Sequence, residues 1–369
     1  MATSGLIISL SLLLCIIPVR CFAKSCPPTS DVALFVFGDS LFDVGNNNYY
    51  LNPKIPFHFQ ANRLPYGQTF FNYPNGRYTD GRTIVDFIAE YANLPLALPY
   101  LHPAYQQCLD GANFASGGSG ALFETNQGLV IDLKTQLKYF KNFAKLLKKR
   151  LGEDRARGFL SKAVYLISIG SNDYINRVTL DSSAYSSYSR DQYVDLVIGN
   201  LTSVIKEIHN EGGRKFGFLG LAPVGCVPLI KMRSNGTCCC NESEASVLAK
   251  LHNKALSGIL KKLQKQLEGF KYSLANFYDL LTDLIHNPLK YGFKEGDVAC
   301  CGSGPYRGML TCGGILGRTN YELCKNSSEY VFFDSVHPSD RANEFFAQQM
   351  WIGHLNVAAP YNVKSLFNA

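Results

Sequence analysis

Val32-Ala33-Leu34-Phe35-Val36-Phe37-Gly38-Asp39-Ser40-Leu41 is the stretch on which the reading turns. Its first six residues are apolar without alternation, the pattern of a strand covered on both faces rather than one. Gly38 then permits a tight turn, because it lacks the Cβ that restricts the backbone elsewhere. A serine just past the end of a buried strand is held on a rigid frame at the mouth of a cleft. A Gly-Asp-Ser tripeptide by itself is an ordinary turn, so its meaning depends on what the rest of the chain supplies.

Working outward, further short runs read as strands: Ala163–Ile169, Lys215–Leu219, Tyr272–Phe277 and Tyr330–Phe333, with a weaker one ending at Asn113. Long amphipathic segments lie between them. In the segment 191–210, Val194, Val197, Ile198, Leu201, Val204, Ile205 and Ile208 follow helical spacing, and Glu211-Gly212-Gly213 stops it. Similar patterns run over 132–150 and 242–267. Strands separated by helices predict an α/β fold, with a parallel sheet covered on both faces. Ligands of such sheets sit beyond the carboxyl ends of the strands, so reactive residues are expected there.

Three more segments meet that expectation. Asn113-Phe114-Ala115-Ser116-Gly117-Gly118-Ser119-Gly120 brings glycines after a strand, where backbone N–H groups can approach an oxyanion. No Gly-Lys-Ser/Thr follows, so it is not a P-loop. Ile169-Gly170-Ser171-Asn172-Asp173 offers an asparagine amide as a second donor. Asp334-Ser335-Val336-His337-Pro338 places an aspartate three residues before a histidine, close enough to fix its tautomer and stabilise an imidazolium. The other six histidines lack a comparable setting. Each segment alone reads as a turn, a cap or a polar loop. Together they supply nucleophile, oxyanion donors, base and orienting acid for acyl transfer.

The bulk properties are compatible. The 369 residues are 46% apolar and 18% charged, enough for a sizeable core. Residues 6–19 are almost wholly apolar, and Cys21-Phe22-Ala23 suits cleavage after Ala23. Residues 1–23 therefore read as a signal peptide, and 24–369 as one domain. No second run reaches spanning length, so no transmembrane anchor is expected after removal of the leader. Ten of the twelve cysteines lie beyond residue 23, an even number suited to disulfides in an oxidising compartment, with the pairing open. Asn200, Asn235, Asn241 and Asn326 are N-glycosylation sequons. The formal charge is +7, and Lys138, Lys141, Lys145, Lys148, Lys149 and Arg150 form a basic helix face. That face reads as solvated exterior, or as weak attraction to an anionic wall or membrane surface. No nucleic-acid partner is implied, because the basic residues belong to no recognisable nucleic-acid module.

At these residues the chain resembles the GDSL lipase/esterase family, also called SGNH hydrolases, in its secreted plant branch. The matching stretches are 37–47, Pro74-Asn75-Gly76-Arg77-Tyr78-Thr79-Asp80-Gly81-Arg82, 300–306 and 333–338. The resemblance implies a flavodoxin-like three-layer α/β/α fold with a central parallel sheet. It implies Ser40 as nucleophile, His337 as base and Asp334 as its orienting acid. The Ser40 N–H, the Gly118 N–H and the Asn172 side chain would form the oxyanion hole. It implies no metal and no organic cofactor, and a small-molecule or lipid ester as substrate. Extracellular location in the cell wall or apoplast follows from the same resemblance. The α/β-hydrolase elbow Gly-x-Ser-x-Gly is absent, so an open site tolerant of varied acyl groups is expected. Hydrolysis is the leading activity; acyl transfer to an alcohol shares its first half, and an inactive secreted binding protein is the remaining reading. Two aromatic loops, Phe57–Phe59 and Phe70–Tyr73, are candidate acyl-pocket walls, although packing is the commoner fate of such residues.

Overall fold

Leu34–Gly38 forms strand β1, buried along its whole length, and the rest of the fold is arranged around it. The computed structural model describes residues 32–50, 59–107, 111–180, 187–234, 242–314 and 320–369. The leader, Cys26, Cys108, Cys238, Cys239, Cys240, Asn235 and Asn241 lie outside these residues. Strands β2 (Gly111–Asn113), β3 (Val164–Ser168), β4 (Lys215–Leu219) and β5 (Lys271–Ala275) run parallel to β1. A further strand, β8 (Ala358–Pro360), adds antiparallel to β5. The order is β2-β1-β3-β4-β5-β8, with a separate two-stranded ribbon of β6 (Cys301–Gly302) and β7 (Glu322–Leu323). Its parallel part has the flavodoxin-like order 2-1-3-4-5, which reverses direction between β1 and β3.

Alternation along the strands builds two cores, because successive side chains point to opposite faces. Phe35, Phe37, Tyr165, Ile167, Phe216 and Phe218 pack on one face against helices α2 (Leu133–Leu151), α3 (Glu153–Lys162), α5 (Arg190–Asn210) and α7 (Glu244–Gln266). Leu34, Val36, Val164 and Leu166 pack on the other against α1 (Ile84–Tyr91), α8 (Phe277–His286), α9 (Asp340–Ile352) and α10 (Val363–Phe367). The result is three layers, α/β/α. Two shorter helices, α4 (Ser171–Thr179) and α6 (Pro228–Arg233), follow β3 and β4 along the chain. The predicted long helices start at side-chain caps: Asp132 accepts the Thr135 N–H, and Ser189 with Gln192 makes a capping box.

One expectation needs correction. Tyr330–Phe333 is not a strand of the central sheet. Its backbone is satisfied by other partners: Val331 N–H donates to Glu295 O, and Phe332 and Phe333 carbonyls accept from Cys300 and Cys301 N–H. The sheet also ends in the antiparallel β8, which carries Pro360 at an edge, where a missing donor costs no ladder bond.

Candidate active site

The exit of β1 is fixed by a polar lock. Gly38 N–H donates to Gln136 Oε1 at 2.9 Å, while Gly38 O accepts from Gln136 Nε2 and from Ser119 Oγ, both at 2.9 Å. Gly38 has φ +152°, and a Cβ there would stand 2.3 Å from Ser168 O, so only glycine lets β1 and β3 approach this closely. Ser40 follows, half-buried, at the point where the strand order reverses. Three residues further on, Asp43 Oδ1 accepts the N–H groups of Gly45 and Asn46, and its Oδ2 accepts Gly117 N–H at 2.9 Å. Asn46 and Asn47 donate to the carbonyls of Asn113, Ala115 and Gly117. The segments after β1 and β2 are thus one braced unit.

Asp334 and His337 reach the same place from a loop far along the chain. His337 Nε2 lies 2.7 Å from Ser40 Oγ, and His337 Nδ1 lies 2.8 Å from both carboxylate oxygens of Asp334. Asp334 Oδ1 also accepts the N–H groups of Val336 and His337, which closes the loop into a compact turn. Tyr66 OH donates to Asp334 Oδ2 at 2.8 Å. Burial alone would raise the Asp334 carboxyl; the neighbouring imidazole, the backbone donors and Tyr66 outweigh it and hold the carboxyl below its ordinary range. This loop does not follow a strand of the sheet, contrary to expectation. It is held by the ribbon whose Cys300–Cys324 and Cys301–Cys312 disulfides lie beneath it.

Asn172 lies in the first turn of α4, shortly after β3. One Nδ2 hydrogen goes to Ser119 O at 2.9 Å; an amide carries two, so the second is free to face the cleft. Gly118 has φ +83°, and a Cβ there would strike the Phe59 ring at 2.4 Å. Among the described residues neither Ser40 N–H nor Gly118 N–H meets an acceptor, whereas Gly117 N–H is taken by Asp43. Asp173 holds the loop beyond Gly118 by accepting the N–H groups of Ala121 and Leu122 and the Thr125 hydroxyl.

The sequence model of the "GDSL-like Lipase/Acylhydrolase" family matches residues 34–350. The chain belongs to that family. Membership makes this GDSL protein a carboxylic ester hydrolase. It is 48% identical to GDSL esterase/lipase 2 of Arabidopsis thaliana over 92% of the chain and 90% of that protein. It is 46% identical to GDSL esterase/lipase 1 of the same plant, over 95% and 93%. A GDSL lipase of Tanacetum cinerariifolium is 44% identical over 98% of the chain and 94% of its own length.

In this GDSL protein Ser40, Asn172 and His337 line one small cleft that opens to solvent. Its walls are apolar: Ile175, Val224, Val227, Phe277, Leu281 and Phe332. Of the two aromatic loops of the sequence reading, none of the described residues lines it: Phe70 and Tyr73 face solvent and Phe59 packs over Gly118, while Phe57 lies outside the described residues. Asp39 is buried beside Ser40, its Oδ2 without a partner among the described residues, and burial pushes its carboxyl up to about 7. Sequence reasoning missed Tyr66, Gln136 and the braces made by Asp43 and Asp173, since nothing local marks a polar residue as a long-range partner. The 74–82 block proves to be a brace as well: Arg77 pairs with buried Asp86 at 2.7 Å, and Asp80 accepts the N–H that opens α9, three residues past His337. The basic helix face is partly neutralised, Lys141 by Glu207 and Lys148 by Glu153 and Glu211. Asn200 and Asn326 are exposed.

Proposed function

We propose that this GDSL protein hydrolyses esters of apolar acyl groups through an acyl-enzyme on Ser40. His337 Nε2 takes the Ser40 hydroxyl proton as Oγ attacks the ester carbon. Asp334 orients the imidazole and balances the imidazolium. The N–H groups of Ser40 and Gly118 and the unclaimed Nδ2–H of Asn172 stabilise the tetrahedral oxyanion. As the intermediate collapses, the leaving alcohol departs with the proton from His337. Water then attacks the acyl-enzyme by the same steps and releases the acid.

The observation that carries this reading is the 2.7 Å contact of His337 Nε2 with Ser40 Oγ, backed by Asp334 on the other ring nitrogen. The apolar cleft supports a hydrocarbon acyl chain. The same acyl-enzyme can pass its group to an alcohol, and product analysis with mixed acceptors measures that partition. Secretion is part of the proposal: residues 1–23 are its leader and 24–369 its single domain. The apolar leader, the disulfides and the exposed sequons Asn200 and Asn326 support it. Among the described residues no helix is long and apolar enough to cross a membrane. A fluorophosphonate probe tests the reading: wild-type protein should be labelled at Ser40 and should turn over short aryl esters, and Ser40→Ala should do neither. Unlabelled, inactive wild-type protein that is folded and glycosylated overturns it.

A further inference from the structure

Tyr66 stands apart from the rest of the site. It belongs to a loop 268 residues away from Asp334 in sequence, yet its hydroxyl donates to Asp334 Oδ2 at 2.8 Å. The ring is buried in a small cluster with Tyr78, Phe333 and the cysteines of both disulfides, edge-on to Phe333 with centroids 5.4 Å apart. Its position is therefore set by covalently braced neighbours. The Asp334 carboxylate accepts from Val336 N–H, His337 N–H and the imidazole; without Tyr66, Oδ2 would have His337 Nδ1 as its single partner.

We infer that Tyr66 is a positioning residue for catalysis, one that locks the rotation of the Asp334 carboxylate and, by drawing on its charge, sets the basicity of His337. This rests on the acyl-enzyme reading above. Burial pushes the Tyr66 hydroxyl well above its ordinary pKa, so it stays protonated and remains a donor at every working pH. The other groups facing the pair are Asp39, which interacts with His337 and with Asp173, and the Tyr78 ring, 4.9 Å from the imidazole. Asp43 acts on Tyr78, and the Arg63 guanidinium, 5.6 Å from the Tyr66 ring centroid, acts on both tyrosines. None of these donates a hydrogen bond to Asp334 Oδ2.

Tyr66→Phe separates this role from packing, since it keeps the ring and removes the donor. Loss of the donor leaves more negative charge to stabilise the imidazolium. The acid limb of kcat/KM should therefore move up by roughly half a pH unit. With the carboxylate less constrained, kcat on a short aryl ester should fall roughly tenfold while KM changes less than about twofold. In an Asp334→Asn background the same substitution should cost no more than about twofold. An unmoved acid limb with unchanged kcat, or an undiminished loss in the Asp334→Asn background, overturns the inference. Should Tyr66→Phe not fold, 3-fluorotyrosine at position 66 keeps ring and hydroxyl while strengthening the donor; the limb should then move down, and an unmoved limb overturns the inference equally. Probe labelling of wild-type Ser40 is measured alongside, so failure of the acyl-enzyme reading is told apart from failure of the Tyr66 role.

Discussion

At the scale of single residues, the candidate site depends on donors and acceptors whose alternatives are already taken. Gly117 N–H is bound by Asp43, whereas Gly118 N–H meets no protein acceptor among the described residues. Asn172 uses one amide hydrogen to fix itself to Ser119 and keeps the other. Asn172→Ala should therefore lower kcat about a hundredfold to a thousandfold, the usual cost of one oxyanion donor. A rate within a few fold of wild type would make Asn172 a helix-start residue and nothing more. His337→Ala should lower kcat by roughly ten-thousandfold in a protein that still folds, because the proposed role of the histidine is that of proton acceptor. The residue types at these positions were readable in sequence. What could not be read was Tyr66, because a tyrosine between Pro65 and Gly67 carries no local sign that its hydroxyl will meet a carboxylate from the far end of the chain.

At the scale of elements, the extended run Tyr330–Phe333 is the instructive miss. Apolar and β-prone, it has the composition of a buried strand. The central sheet is not its partner; the segment 295–301 and the loop 337–339 are. Composition reports that a backbone will be extended and buried, and leaves open which other backbone satisfies it. Here the partner is the disulfide-bonded ribbon, so the His337 loop is only as firm as Cys300–Cys324 and Cys301–Cys312. Replacing both Cys301 and Cys312 with serine should cost about 3 kcal/mol of stability by the loop-closure argument. It should also lower kcat, since Cys301 N–H holds the Phe333 carbonyl one residue before Asp334. Chemical denaturation and aryl-ester kinetics on the double variant check both; full stability with full activity would show that the ribbon does not brace the loop. By contrast, the segments 132–150, 191–210 and 242–267 appear as helices within two residues of their predicted limits, because long amphipathic repeats and caps are local signals.

At the scale of the whole molecule, the site sits where the sheet changes direction, and its surroundings store several carboxyls away from water. Asp39 is pushed up to about 7 by burial, and Asp43 and Asp173 to about 6, with backbone and hydroxyl donors opposing the shift. A carboxyl whose folded pKa is raised favours the fold in its neutral form. Its contribution is fully present below the unfolded value, about 4, and is lost as pH rises through the folded value. Asp334 has the opposite sign, being held low, and loses its contribution only in stronger acid. The protein should thus be more stable near pH 5 than near pH 7.5, Asp39 alone accounting for up to about 4 kcal/mol between pH 4 and 7. Thermal unfolding of wild type and Asp39→Asn at the two pH values checks this: the difference should shrink in the variant, and equal slopes would place the effect elsewhere. The α/β class, the long helices, the strand ends at β1, β2 and β3, and the four segments that carry reactive groups are legible from the order of residues alone. These follow from periodicity and from side-chain chemistry at fixed spacing, which are properties of neighbours along the chain. The folded chain is needed to see that Ser40, Asn172 and His337 share one apolar cleft, that the histidine loop hangs from a disulfide-bonded ribbon instead of a sheet strand, and that Tyr66 reaches Asp334. Contacts between residues hundreds of positions apart are set by how layers pack and which backbones pair, and no local pattern encodes that choice.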